Sequence, residues 1–115
     1  MPRRSNASFS FSPAALQILA VLASEDLHGY GIIQEVSKQS EGQIRIGPGT
    51  LYDNLKRFME QGWVRDVEPR SESDKRLYRL TALGRTVLTQ EIARLDHLVR
   101  TMKPHLQGLK PRRTE

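Results

Sequence analysis

The chain has no cysteine, a single tryptophan, three histidines and no apolar run long enough to cross a membrane. Each shortage excludes something. Without thiols there is no disulfide framework, no cysteine-ligated zinc and no cysteine nucleophile, which is compatible with a reducing cytoplasm. The most apolar stretch, Ala14 to Ala23, follows Arg3-Arg4 somewhat as in a leader peptide. The polar segment Ser5 to Ser12 separates the charges from it, Gln17 interrupts it, and it falls well short of the roughly 20 residues of a membrane span. Export and membrane insertion are not expected, so the chain reads as cytoplasmic. His28, His97 and His105 are too scattered for a metal motif. Gly42 and Gly47 have the gap of a phosphate-binding loop, but Pro48-Gly49 stands where Lys-Ser/Thr is required. With no nucleophile motif either, neither catalysis nor a cofactor is expected.

What remains is one modest globular domain: 115 residues, 37% hydrophobic and 27% charged. The formal net charge of +5 belongs to the ends, since residues 9 to 102 carry twelve basic and twelve acidic side chains. Basic tails suit a polyanionic partner, and equally they aid solubility.

Ser12 as N-cap and Pro13 as first helical residue open a helix running to about Ser24. It has almost no polar face, so it must be covered on both sides, by its own core and by something else, for which a second subunit is the economical candidate. Phe9 and Phe11 either join that contact or belong to a flexible arm. A second helix follows, with Leu27, Tyr30, Ile33 and Val36 on one face and two glycines near its start that suggest close packing. Gln43 to Ile46 has room for a minimal strand.

The stretch from Gly47 to Trp63 is a helix with marked ends. Gly47 serves as N-cap, Pro48 suits the first turn, and Gly62 falls where a left-handed C-terminal cap belongs. Leu51, Leu55, Phe58 and Met59 form its apolar stripe, opposite a face dense in hydrogen-bonding groups. Trp63 to Glu68 and Arg76 to Leu80 read as two strands of a hairpin with a polar tip. Thr81 caps a last helix whose apolar residues at 88, 92, 95, 99 and 102 alternate steps of four and three, the seam of a coiled coil. Pro104 should end or kink that helix near Met102.

Helix, helix, brief strand, helix, hairpin, long helix is the order of a winged helix-turn-helix: mainly α, with a small β-hairpin wing and a long C-terminal dimerisation helix. The expected organisation is a flexible basic arm over 1–11, the winged helix-turn-helix over 12–81, the dimerisation helix over 82–107 and a basic tail over 108–115. The outer face of the third helix either meets solvent or enters a DNA major groove, which is about 12 Å wide.

Leu-His-Gly-Tyr-Gly-Ile at 27 to 32, Gly-Thr-Leu-Tyr-Asp-Asn-Leu at 49 to 55, Gly-Trp-Val at 62 to 64 and Arg-Leu-Tyr-Arg-Leu-Thr-Ala-Leu-Gly at 76 to 84 together resemble the PadR family of bacterial transcriptional regulators. The resemblance spans about residues 13 to 102. It implies an effector-responsive, homodimeric repressor that binds a double-stranded DNA operator. Base and backbone contacts then fall to Thr50, Tyr52, Asp53, Asn54, Lys56 and Arg57 of the third helix, and wing contacts to Arg70, Lys75 and Arg76. Asparagine can pair with adenine and arginine with guanine, whereas Asp53 repels phosphate and is better suited to orienting Arg57. The implied dimer interface is Leu16, Leu19, Leu88, Ile92, Leu95, Val99 and Met102. Members of the small subgroup that this chain resembles in length bind flat effectors between subunits, using a tryptophan on the last helix that this sequence lacks. A cavity there would be lined by Leu16, Leu95, Leu98 and Val99, for which simple packing is the plainer reading. The alternative function is a protein-interaction module of the same fold that does not bind DNA; an enzyme subunit is disfavoured by the missing site.

Overall fold

A computed structural model of the chain describes residues 11–67 and 76–107. The order of elements is α1 (Pro13–Ser24), β1 (Leu27–His28), α2 (Gly29–Gln39), α3 (Pro48–Gln61), β2 (Val64–Val67), β3 (Leu77–Leu80) and α4 (Ala82–Gln107). This is the mainly helical, winged-helix arrangement expected from the sequence. The three strands form an antiparallel sheet in the order β1-β3-β2, with Val64 opposite Leu80 and Leu27 opposite Tyr78.

The ends of the helices follow the local chemistry. The Ser12 hydroxyl accepts from the Ala15 N–H at 3.0 Å and opens α1. At the other end of α3, Gly62 adopts φ 80°, where its N–H reaches the Met59 carbonyl at 3.1 Å and the Trp63 N–H reaches that of Phe58 at 2.9 Å. Such a left-handed cap strains any residue with a Cβ. Thr81 then joins two elements: its hydroxyl donates to the Gly62 carbonyl at 2.6 Å and accepts from the Gly84 N–H at 2.9 Å, while its own N–H reaches the Trp63 carbonyl at 2.9 Å. The start of α4 is thereby fastened to the end of α3.

The core is Ile18, Leu19, Val21 and Leu22 of α1, Ile32 and Val36 of α2, and Leu51, Leu55 and Phe58 of α3, closed by Trp63, Val64, Tyr78, Leu80 and Leu88. Helix α1 lies at its centre, packed by α2, β3 and α4. Much of the second cover that its apolar surface demands therefore comes from the chain's own last helix.

Five expectations need correction. Gln43 to Ile46 is not a strand: Glu41 and Gly42 turn the backbone through positive φ, and the Ser40 hydroxyl holds the loop by accepting from the Ile44 N–H at 2.9 Å. The brief strand is instead Leu27–His28, because β3 offers an edge to pair with. The buried face of α2 is Gly29, Ile32 and Val36, with Leu27 and Ile33 partly buried against the core; a step of three falls short of a full turn, so the face drifts and Tyr30 at its edge is 70% exposed. Met59 lies at the exposed edge of α3 rather than in its stripe. Pro104 does not end α4 near Met102; the helix runs on to Gln107, the limit expected for it. A proline there removes one N–H donor, but that turn is exposed and water can satisfy the freed carbonyl. Phe11, finally, is not part of a free arm, since its ring packs on Trp63 with centroids 5.6 Å apart.

Candidate nucleic-acid interface

Because α3 buries Leu51, Leu55 and Phe58, helical geometry turns Asp53, Lys56 and Glu60 directly away from the core. Thr50, Tyr52, Lys56 and Arg57 are all exposed. Tyr52 leans toward the start of α2, so closely that a Cβ at Gly29 would overlap its hydroxyl oxygen. This close approach is what the first of the two α2 glycines allows. Arg57 lies on the opposite flank of α3 with Asn54 and Gln61.

Lys56 and Arg57 form no ion pair with any described residue, and neither does Asp53. The expected Asp53–Arg57 bridge is therefore not formed. Asn54 is half-buried, and its amide nitrogen donates to the Thr50 carbonyl of its own helix at 2.9 Å. That bond occupies a group a base would otherwise use.

The base of the wing is more self-contained. Arg76 pairs with Asp66 at 2.5 Å, and Arg79 grips Asp26 with Nη2 at 2.7 Å and Nε at 3.1 and 3.2 Å. The bond from Arg79 holds the Asp26 carboxyl below its ordinary pKa against the opposing effect of burial, and the charges of Arg79 and Arg65 lower it further. Arg65 and Arg79 face each other across β2 and β3, so Asp26 relieves a like-charge pair. Tyr78 is buried on the inner side of β3, and burial is the main cause raising its phenol pKa. Arg70 and Lys75 lie outside the described residues.

Sequence reasoning passed over Tyr30, Lys38 and Arg45, which border an open cleft of about 710 Å³ between α2 and the approach to α3. Spacing alone assigns Tyr30 to the inner face of α2, and its 70% exposure is a property of the packed helix. Among the described residues no group of three His, Cys, Asp or Glu could hold a metal ion.

The remaining surface is apolar. Ile92, Val99, Met102 and Leu106 of α4 are 51%, 47%, 52% and 73% exposed. Pro13, Leu16, Ala20, Ile44, Leu88 and Ile92 border a groove of about 280 Å³ between α1 and α4. Leu16 borders that groove, whereas Leu95, Leu98 and Val99 do not. Leu19 is 0% exposed and Leu88 only 6%. Both are corrected from interface to core, because their surface is already covered by their own chain. Glu91 is a buried acid on α4, held by Arg94 one turn on at 2.6 and 2.9 Å.

A sequence profile described as the transcriptional regulator PadR-like family matches residues 18–90. The chain belongs to that family. Transcriptional regulator Rv3488 of Mycobacterium tuberculosis is 34% identical over 96 residues, covering 80% of this chain and 84% of the relative. A PadR family transcription regulator of Clostridium difficile superposes with a TM-score of 0.67 at 22% identity, over 83% of this chain and 99% of that one, and so shares the PadR fold. A PadR-like transcription factor of Bacteroides fragilis gives a TM-score of 0.64 at 26% identity, over 76% and 84%. Within the PadR-like fold α3 occupies the recognition position of a winged helix, and no helix among the described residues is long and apolar enough to cross a membrane.

Proposed function

We propose that this PadR-like regulator is a repressor that binds a specific operator as a homodimer in the cytoplasm and is released by a small-molecule effector. The observation that carries the reading is the state of α3: its apolar stripe is closed inside the protomer, while Lys56 and Arg57 project without an ion-pair partner among the described residues. In this reading Thr50, Tyr52, Asp53, Lys56 and Arg57 meet the major groove, with Asn54 at the margin. Lys38 and Arg45 supply phosphate contacts from the α2 side, and Arg70, Lys75 and Arg76 from the wing. Leu16, Ile92, Leu95, Leu98, Val99 and Met102 are the contacts by which two copies pair. A two-fold dimer then sets half-sites about 34–36 Å apart.

Footprinting on the DNA upstream of the coding region tests this directly. Two protected half-sites, with affinity falling steeply as salt rises, are expected. Arg57→Ala should lose about 1–3 kcal/mol if that guanidinium reads a base, whereas Lys38→Ala should weaken binding to all sequences alike. The face of α3 is formally neutral, Lys56 and Arg57 being balanced by Asp53 and Glu60. That favours a protein-interaction module as the second reading, and absence of any specific footprint would select it.

A further inference from the structure

We propose that Gly29, although buried inside the protein, is a positioning residue for operator binding: by lacking a side chain it gives the Tyr52 phenol a seat on the first turn of α2. That seat sets how Tyr52 is presented on the outer face of α3. The inference rests on the DNA-binding reading of α3 and adds to it a residue outside the recognition helix.

Glycine at position 29 is required by space and not by backbone conformation. It is the first residue of α2 and lies in ordinary helical backbone, whereas the glycines with positive φ among the described residues are Gly42 and Gly62. In a helix alanine is the better former. An added Cβ would overlap the Tyr52 hydroxyl oxygen, approach the Tyr52 Cζ to 3.1 Å and touch Leu51 Cδ2 at 3.4 Å. The second glycine of α2 is different. Among the described residues a Cβ on Gly31 meets Leu27 alone, at 3.4 and 3.8 Å, which is ordinary van der Waals contact.

Tyr52 is placed to pass such a change on to DNA. It follows the fully buried Leu51 on α3 and is itself 50% exposed, so its backbone is fixed while its phenol lies at the surface. Its hydroxyl makes no hydrogen bond with any described residue, and packing is what holds it. Tyr78 is close by: it stands opposite Leu27 across β1 and β3, and after burial the Tyr52 phenol is the next cause raising its pKa. The seat therefore lies where α2, α3 and the base of the wing meet. A phenol held in place before DNA arrives gives up less rotamer freedom on binding than a loose one. The atoms that alanine would displace are at the far end of a flexible side chain, so the fold can absorb the clash by letting Tyr52 swing away. The penalty then falls on recognition and spares stability.

Gly29→Ala, Tyr52→Phe and the double variant are compared with the wild type, with Gly31→Ala as control. Tyr52→Phe deletes the overlapping oxygen and keeps the ring, which then has to yield by only a few tenths of an ångström. The chain has three tyrosines, so isotope labelling of their rings gives an NMR signal for each, and Tyr52→Phe assigns that of Tyr52. In the DNA-free protein Gly29→Ala should move the Tyr52 signal and Gly31→Ala should not. Affinity at fixed salt for the duplex found by footprinting should fall about tenfold in Gly29→Ala, but less than about threefold when the same change is made in Tyr52→Phe. Losses that simply multiply across the two sites overturn the proposal, as does a Tyr52 signal unmoved by Gly29→Ala. A clearly lowered urea midpoint for Gly29→Ala, or failure to fold, also overturns it, because the clash would then be borne by the fold. Wild-type protein that binds no duplex defeats the DNA-binding reading itself, whereas equal binding by wild type and Gly29→Ala defeats the positioning role alone.

Discussion

Leu51, Leu55 and Phe58 on the inner face of α3 are 0%, 1% and 3% exposed, whereas Ile92, Val99 and Met102 along α4 are 51%, 47% and 52% exposed. Both helices carry apolar residues at helical spacing, yet only α3 is completed by its own chain. The difference is one of position. Helix α3 is short, capped at both ends and laid against α2 and β2, so its stripe closes the core. Helix α4 is anchored at its start by Thr81 and by Arg85, whose guanidinium donates to the Ala23 carbonyl at 3.0 Å, and then runs beyond the domain. Past Leu88 the protomer has little left to cover it. One helix is therefore a component of the fold that presents its polar back, and the other carries an apolar surface that the described residues of its own chain leave uncovered.

The contrast can be broken most sharply at Leu55. Truncation to alanine leaves a void in the core and should lower unfolding free energy by about 2–5 kcal/mol in urea titration. The same truncation at Val99 should leave the unfolding of the isolated protomer nearly unchanged; equal losses at both sites would erase the distinction.

The next effect is expected at Gly84, where α3 and α4 are joined. A Cβ there would collide with the Trp63 carbonyl and approach Leu80 Cδ1 to 2.7 Å. Because backbone cannot yield as a flexible side chain does, Gly84→Ala should cost about 1–3 kcal/mol, read as a lowered urea midpoint. Gly49 has nothing within 4 Å of an added Cβ and lies inside α3, so Gly49→Ala is the matching control and should leave stability unchanged or raise it by up to about 1 kcal/mol.

Val99→Asp sharpens the comparison from the other side. A carboxylate in an apolar seam should weaken self-association by about tenfold or more in sedimentation equilibrium while the protomer stays folded. Association that persists unchanged would move the interface elsewhere.

The smallest effect concerns the ion pair beneath the wing. Asp26 is lowered in pKa by its bond from Arg79, so it favours the folded state above the ordinary carboxylate pKa and loses that contribution as pH falls through its lowered value. Asp26→Asn should remove a small part of the acid sensitivity of stability between about pH 4 and the acid limit and leave neutral pH affinity for DNA alone. An acid limb identical to wild type would show that the pair contributes nothing.

Legibility varied with how local the cause was. The limits of α3 follow from Gly47, Pro48 and Gly62, each of which acts within a turn of its own position. The hairpin strands were readable from their β-branched and aromatic residues, whereas the exposure of Tyr30 on α2 and the partial burial of Asn54 on α3 were not. Leu19 and Leu88 looked available for a partner because periodicity states which face is apolar without stating what lies against it. The pairing of Leu27–His28 with β3 joins residues some fifty positions apart, as Leu27 opposite Tyr78 shows, and no local pattern encodes it. The pairing of Arg76 with Asp66 on the neighbouring strand was hidden for the same reason.

By itself the sequence determined the helices, their caps, the hairpin, the seam on α4 and the PadR-like character, because each depends on residues within a few positions or on their order. Only the tertiary structure decided which apolar faces remain uncovered, which arginines are already paired, and that Phe11 and Trp63 meet. Those outcomes depend on which surfaces the fold brings together, and burial and ion pairing are properties of that juxtaposition rather than of the chain.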